Sequence, residues 1–270
     1  MKIKDFAHTQ EEFEVREVET GLYKTQNLPH DLNRFYNFEE YISHDEDRKG
    51  GIGHIYDTVK NYMFGQKLNL IKKYANASPK ILDYGCGTGD FLKYLQDKNY
   101  AVQGIEPTQK AQLIASEKGL KIQSKIQDVD EKFDVISLFH VLEHVEDFES
   151  LINQLKKKLN DKGVLIIAVP NHKSKDAQIY KEFWAAWDVP RHIWHFSKTA
   201  LIKNIKSSSL NLVNTKPLFF DAIYISIVSE RYKKGNTLKG LFNGLYSNFS
   251  ALSTKSWSSH IFVFKKVEKT

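Results

Sequence analysis

The chain has 270 residues, 41% hydrophobic and 27% charged, which suits a folded domain with an appendage and excludes a disordered or fibrous class. Its 39 basic and 33 acidic residues leave a net charge of +6, but the signs are interspersed, which fits a solvated surface better than a nucleic-acid face. One cysteine, Cys86, rules out an internal disulfide, and no signal-like start or apolar run near the roughly 20 residues of a membrane span is seen, so a cytoplasmic protein is expected.

Residues 1–52 are polar and weakly periodic, with scattered aromatics (Phe35, Tyr36, Phe38, Tyr41) and a charged cluster over 44–49. They are too poor in aliphatics to build a core and are expected to form an N-terminal cap. A helical pattern then runs from His54 to Tyr74, loosened at Gly65 and stopped by Ala77-Ser78-Pro79. From Lys80 strands and helices alternate, which predicts a parallel α/β core over 53–218. Strand Ile81–Tyr84 leads to a helix near Asp90–Asp97. Strand Ala101–Ile105 leads to Pro107 in the first turn of a helix that ends near Gly119, and a short strand follows at Leu120–Gln123.

Phe133–Leu138 is the fourth strand. Phe148, Leu151, Ile152, Leu155 and Leu159 share one face of a helix that Asp147 caps and Gly163 breaks. Val164–Val169 is apolar on both faces, as a central parallel strand should be. A long irregular connection rich in aromatics (Phe183, Trp184, Trp187, Trp194, Phe196) comes next, then a helix capped by Ser197 and a strand at Asn211–Pro217. Residues 219–255 read as a helical insert, and 256–270 as the last strand with a charged tail.

The organising stretch is Ile81-Leu82-Asp83-Tyr84-Gly85-Cys86-Gly87-Thr88-Gly89-Asp90-Phe91. A buried strand breaks there into a glycine turn and opens a helix. Residues without a Cβ let a ligand lie against bare peptide, with N–H groups behind it. A dinucleotide loop would need its third glycine at position 90, where Asp90 stands. Asp83 would repel a pyrophosphate and suit a cationic ligand.

Acid-x-Gly-x-Gly-x-Gly at a strand end resembles the first motif of the class I S-adenosylmethionine (SAM) methyltransferases, and the resemblance covers roughly residues 80–265. It implies an α/β, Rossmann-like seven-stranded sheet, mostly parallel with the last strand antiparallel and helices on both faces. It implies SAM as cofactor. On that resemblance Asp83, Tyr84, Gly85, Cys86, Gly87, Gly89 and Phe91 hold the methionine end. Glu106, 23 positions after Asp83, takes the ribose with Pro107 beside it. Asp128 is the candidate near the adenine, with Asp130 nearly as well placed, and Phe139 and His140 lie beside the methionine part.

Val141-Leu142-Glu143-His144-Val145 is similar to ubiquinone-biosynthesis O-methyltransferases. A helical turn would gather His140, Glu143 and His144 on one side. They could hold the loop through backbone hydrogen bonds, or His140 or His144 could accept a proton; metal ligation is a third use, and no metal is expected. Asp188-Val189-Pro190-Arg191-His192-Ile193-Trp194-His195-Phe196 resembles a signature of bacterial methyltransferases, many of unknown substrate. Arg191 could pair with an anionic acceptor and His192 or His195 could take a proton; alternatively the loop packs over the sheet and Arg191 braces it.

The expected activity is methyl transfer to a small or medium-sized acceptor, with O-methylation favoured and His140, His144, Arg191 and His192 on the acceptor side. Three alternatives stand beside it. A SAM-binding protein without turnover would share every cofactor motif. An enzyme methylating exocyclic amines of nucleic acid would normally show Asn/Asp-Pro-Pro-Tyr/Phe where this chain has Phe139-His140-Val141-Leu142. An NAD-dependent oxidoreductase is opposed by the glycine spacing and by Asp83. The oligomeric state stays open.

Overall fold

A computed structural model describes residues 1–35, 51–207 and 209–266. The aromatic and charged stretch over 36–50, which belongs to the expected N-terminal cap, and residues 267–270 lie outside the described residues. The described residues fall into two compact units, one within 39–139, 150–166 and 263–270 and the other within 1–38, 140–149 and 167–262.

The main sheet has seven strands, mostly parallel with one antiparallel-paired strand. In chain order they are β4 (Lys80–Tyr84), β5 (Ala101–Ile105), β6 (Ile122–Gln123), β7 (Phe133–Phe139), β8 (Leu159–Pro170), β10 (Leu210–Pro217) and β11 (Ser259–Lys266). Their spatial order is β10-β11-β8-β7-β4-β5-β6. Strand β4 is parallel to both neighbours, and Asp83 stands opposite Gly104 of β5 and Ser137 of β7. Val164–Val169 of β8 is buried throughout, as a run without polar alternation requires.

Helices α1 (Gly51–Tyr74), α2 (Asp90–Gln96), α3 (Gln109–Glu117) and α4 (Phe148–Lys158) fall close to the expected positions, with three differences. Helix α1 runs through Gly65 without a break, and a Cβ at that position would meet only the Tyr94 hydroxyl at 3.6 Å. Helix α3 starts after Thr108, so Pro107 precedes it rather than sitting in its first turn. Helix α4 ends at Lys158 because β8 already begins at Leu159; Gly163 instead serves a tight backbone approach, where a Cβ would lie 2.9 Å from the Asn160 carbonyl oxygen.

The other unit holds an element the sequence did not suggest. Strands β1 (Lys2–Lys4), β2 (Glu12–Glu19) and β3 (Leu22–Thr25) join β9 (Trp194–Phe196) in a second sheet, ordered β1-β2-β3-β9. Alternation in β2 is too short to notice, since only Phe13 and Val15 are buried, and β9 comes from far along the chain. Ile3, Phe13, Val15 and Phe35 form one core with Tyr180, Trp184, Trp187 and Val189. The N-terminal segment does bury a core, and it does so with the aromatics of the irregular connection. That connection also holds a short helix, α5 (Lys175–Tyr180). Helix α6 (Lys198–Ser207) is capped as expected, with Ser197 Oγ accepting from the Ala200 N–H at 3.2 Å. The insert is a helical hairpin, α7 (Phe219–Tyr232) and α8 (Thr237–Thr254).

Candidate functional site

Strand β4 delivers Asp83 and the glycine turn, and β5 delivers Glu106. Gly85, Gly87 and Gly89 have φ of +74°, +54° and +78°, the left-handed region in which a Cβ is strained. A Cβ on Gly89 would also lie 2.4 Å from Leu120, whereas one on Gly87 would meet nothing within 4 Å. Gly89 is therefore required by packing, while Gly87 faces open space where a ligand can approach. The turn is tied back by the N–H groups of Gly85 and Cys86, which donate to the Ile105 carbonyl at 2.7 and 3.0 Å. Asp90, standing where a dinucleotide loop has glycine, is paired with Lys60 and Lys118.

Asp83 is buried and accepts a 2.6 Å hydrogen bond from Ser137 Oγ. Burial pushes its carboxyl up to about 6, against the lowering effect of Ser137 and of the Lys67 ammonium. A carboxylate in that state is short of positive charge, and a cationic ligand would complete it. Glu106 is also buried; its Oε2 accepts from the Gly87 N–H at 3.0 Å and its Oε1 from the Thr108 N–H at 2.9 Å. Each oxygen has two lone pairs, so capacity for a vicinal diol is left.

Phe91 and Phe139 meet edge to face with centroids 5.8 Å apart, and Lys67 Nζ lies 3.8 Å over the Phe139 ring. Burial, then Glu106, raises the Tyr84 phenol. Burial, then Asp83 and Glu106, holds the Cys86 thiol far above its usual range, so it is no nucleophile. Pro107 is exposed. Asp128 closes a short 3-10 turn at Ile126–Asp128 and is exposed, while Ile126 and Val129 anchor the turn. These residues fit SAM: a buried acid for an ammonium, a second for ribose hydroxyls, and an open backbone turn between them.

The histidines belong to the other unit. His140 has φ of +57°, unusual for a residue with a Cβ, and its N–H donates to the Ala168 carbonyl at 2.9 Å. Its Nε2 lies 3.0 Å from Asp221 Oδ2 and its Nδ1 3.5 Å from Glu143 Oε1. Burial opposes its charge, but Asp221 and then Glu143 raise the imidazole to about 10. Its pairing with two carboxylates favours the doubly protonated imidazole, which does not fit the general-base role expected of His140.

Glu143 is fully buried. Burial works to raise it, but His140, then His192 and His144, take it below the usual carboxylate range. His144 Nδ1–H donates to the Arg191 carbonyl at 2.9 Å, and burial followed by His192 lowers this imidazole to about 4. His192 Nδ1–H donates to the Ala186 carbonyl at 2.9 Å, which fixes the tautomer and leaves Nε2 as the acceptor. Among the described residues, Glu143, His144 and His192 each offer one ligand-type atom, all within 4.8 Å of one another, and could hold a metal ion.

Arg191 requires a correction. Its guanidinium is 1% exposed and is spent on protein acceptors: Asp188 at 2.6 Å, Asp5 at 2.9 Å and the Phe35 carbonyl at 3.0 Å. It braces the loop and does not present its charge to an acceptor. His195 is buried against Thr25 Oγ1 at 3.0 Å, and burial lowers it well below the usual imidazole range. Sequence reasoning missed Ser137, Lys67 and Asp221. Ser137 was detectable, as the polar residue in the buried run Val135–Leu138; Asp221 was not, since an acid in the first turn of a helix is common for electrostatic reasons alone.

A family profile described as "Methyltransferase domain" matches residues 57–214, more than half of the chain. The ubiquinone biosynthesis O-methyltransferase of Rickettsia bellii (strain OSU 85-389) is 27% identical over 211 residues, spanning 70% of this chain and 85% of that protein. Among solved structures, a possible histamine N-methyltransferase from Thermotoga maritima aligns with a TM-score of 0.54 at 15% identity, over 87% of this chain and 99% of its own. Magnesium protoporphyrin IX methyltransferase from Synechocystis PCC 6803, solved with bound S-adenosylhomocysteine, aligns with a TM-score of 0.54 at 13% identity, over 87% and 92%. The fold and the glycine turn define the class I SAM-dependent methyltransferases. The chain belongs to the methyltransferase-domain family.

Proposed function

We propose that this methyltransferase acts on a hydroxyl group of a small or medium-sized acceptor, with Asp83 taking the ammonium of SAM and Glu106 its ribose. The observation that carries the cofactor half is the pair of buried carboxylates at the ends of adjacent parallel strands, flanking the open Gly87. When bound, SAM supplies a methyl group already activated by its sulfonium. The chain's residues then have to bind, align the nucleophile and exclude water, and alignment alone can contribute about 7–11 kcal/mol. Phe91 and Phe139 provide an apolar, water-excluding surface.

O-methylation is favoured by the likeness to ubiquinone biosynthesis O-methyltransferases and by His192. A neutral hydroxyl needs a base, and His192 Nε2 is the imidazole nitrogen whose tautomer is set to accept. Asp188 Oδ2, 3.9 Å away, and Glu143 would stabilise the imidazolium formed. His144 holds the Arg191 carbonyl and positions this group.

The test is calorimetric titration with SAM, S-adenosylhomocysteine and NAD, followed by transfer of a labelled methyl group to a panel of phenols, amines and thiols. Binding of SAM and its product with label appearing on phenols is expected. Tight NAD binding without a SAM signal would sink the cofactor assignment. Label on amines or thiols instead of phenols would overturn O-methylation alone, and SAM binding without any transfer would leave a binding protein.

A further inference from the structure

Helix α8 is packed inside out. It buries its small residues, Gly240, Gly244, Ser247 and Ala251. A Cβ on Gly240 or Gly244 would lie 2.6 or 2.5 Å from backbone atoms of α7, so the two helices meet at a distance only glycine permits. Its large apolar residues point the other way. Leu238, Phe242, Leu245, Tyr246, Phe249 and Leu252 are all exposed, Phe242 at 68% and Phe249 at 72%.

Their spacing places all six on one stripe of the helix, opposite the buried glycines. At 18 residues the helix is about 27 Å long, so the stripe is a continuous apolar surface in water, rare on a soluble domain without a partner. Among the described residues no helix is long and apolar enough to cross a membrane, so such a face can lie on a bilayer but not span one.

The surrounding charge selects the partner. From residue 231 to 257 the chain has Arg231, Lys233, Lys234, Lys239 and Lys255 and no acidic residue. All five are exposed, and they stand before, within and after the stripe. Lys239 is partly offset by Glu230 at 3.4 Å, while Lys175 adds a cation 5.8 Å over the Tyr246 ring. A second copy seated on the same stripe by two-fold symmetry would set this basic segment against itself. An anionic lipid surface would neutralise the same charges and take up the aromatic stripe at its interface. We infer that α8 docks the protein on the surface of an anionic lipid bilayer. This holds whichever acceptor the enzyme methylates.

The full chain should be co-sedimented with vesicles of phosphatidylcholine alone and of phosphatidylcholine mixed with phosphatidylglycerol. Binding to the anionic vesicles is expected to be about tenfold tighter or more and to weaken as salt is raised. The double variant Phe242→Ser/Phe249→Ser should lose that binding by about tenfold or more with an unchanged melting temperature, because both side chains are exposed. A second variant, Arg231→Gln/Lys234→Gln, should lose the preference for anionic lipid and retain the weak binding to phosphatidylcholine. Wild-type protein that fails to sediment with anionic vesicles would overturn the inference, as would a serine variant that sediments equally well. A wild-type dimer that the serine variant converts to monomer, without vesicle binding by either, would show that a second copy covers the stripe.

Discussion

The glycine turn and the histidine cluster are both built on buried carboxylates, yet their electrostatics run in opposite directions. In the first, burial dominates and Asp83 is pushed up to about 6. In the second, Glu143 is equally buried and Asp188 partly so, but both are held below the usual carboxylate range by the cations around them, His140 and Arg191 foremost. The first region is short of positive charge and so is disposed to take a cationic ligand. The second has neutralised itself and spends its charges on the fold. Substitutions should accordingly separate, the first region losing ligand affinity and the second losing stability.

The largest expected effect is Arg191→Ala. It strands Asp5 and Asp188 without their shared counterion in a buried site, a loss of about 3–5 kcal/mol. Urea denaturation should show it directly. Wild-type stability in the variant would mean that the guanidinium does not brace the loop, and would reopen an acceptor role.

Next comes Glu106→Ala, which removes the proposed acceptor for two ribose hydroxyls. SAM binding should weaken by about 2 kcal/mol, the scale of hydrogen bonds to a charged group. Two backbone N–H groups, of Gly87 and Thr108, also lose their acceptor, so calorimetry has to be paired with a melting curve. A folded variant with an unchanged dissociation constant would refute the ribose assignment.

The contrast between the regions also explains what could be read from sequence. The cofactor half is local: β4, the turn and β5 are consecutive, and parallel pairing brings Asp83 and Glu106 to one sheet edge without help from elsewhere. Periodicity, glycine spacing and the family resemblance they support therefore carried it, together with the order of the parallel strands and the helical insert over 219–255. The histidine half is assembled from afar. Arg191 closes on Asp5 across 186 positions, and His140, just after β7, meets Asp221 of helix α7. Asp188 stands close to Arg191 in the chain, but nothing there announces that the second counterion, Asp5, follows the first strand, and a sheet completed by Trp194–Phe196 leaves no local signature in residues 1–35. Trp184 and Trp187 carry no periodicity that says what they pack against, and only their packing with Ile3, Phe13 and Val15 shows them as core.

A smaller effect concerns Asp83 and pH. With its carboxyl at about 6, the group ionises fully only above that value, and a bound ammonium favours the ionised form. SAM affinity should therefore fall as pH drops through about 6, approaching tenfold per unit below it, about 1.4 kcal/mol. In Asp83→Asn the affinity should be low and flat over the same range. A wild-type affinity that does not change between pH 7 and pH 5 would break the assignment of the cation to Asp83.

The smallest effect tests the other side of the comparison through His140. Its folded pKa of about 10 stands above the ordinary imidazole value of 6.5, so its pairing with Asp221 and Glu143 is fully present below 6.5 and is lost as pH rises through 10. Solvent screens part of the gain, because 38% of the side chain is exposed. His140→Asn is the suitable variant, since asparagine tolerates the positive φ that this position imposes. Melting temperatures of wild type should decline between pH 7 and pH 10 more steeply than those of the variant, because only the wild type has a proton to lose there. On the acid side both proteins should lose stability together as pH falls from 6.5 toward 4, where His144 and His260, lowered to about 4 by burial, stay neutral in the fold but protonate when unfolded. Parallel curves over the alkaline range would show that His140 is not held as an imidazolium, and its lone pair would then return as a candidate base.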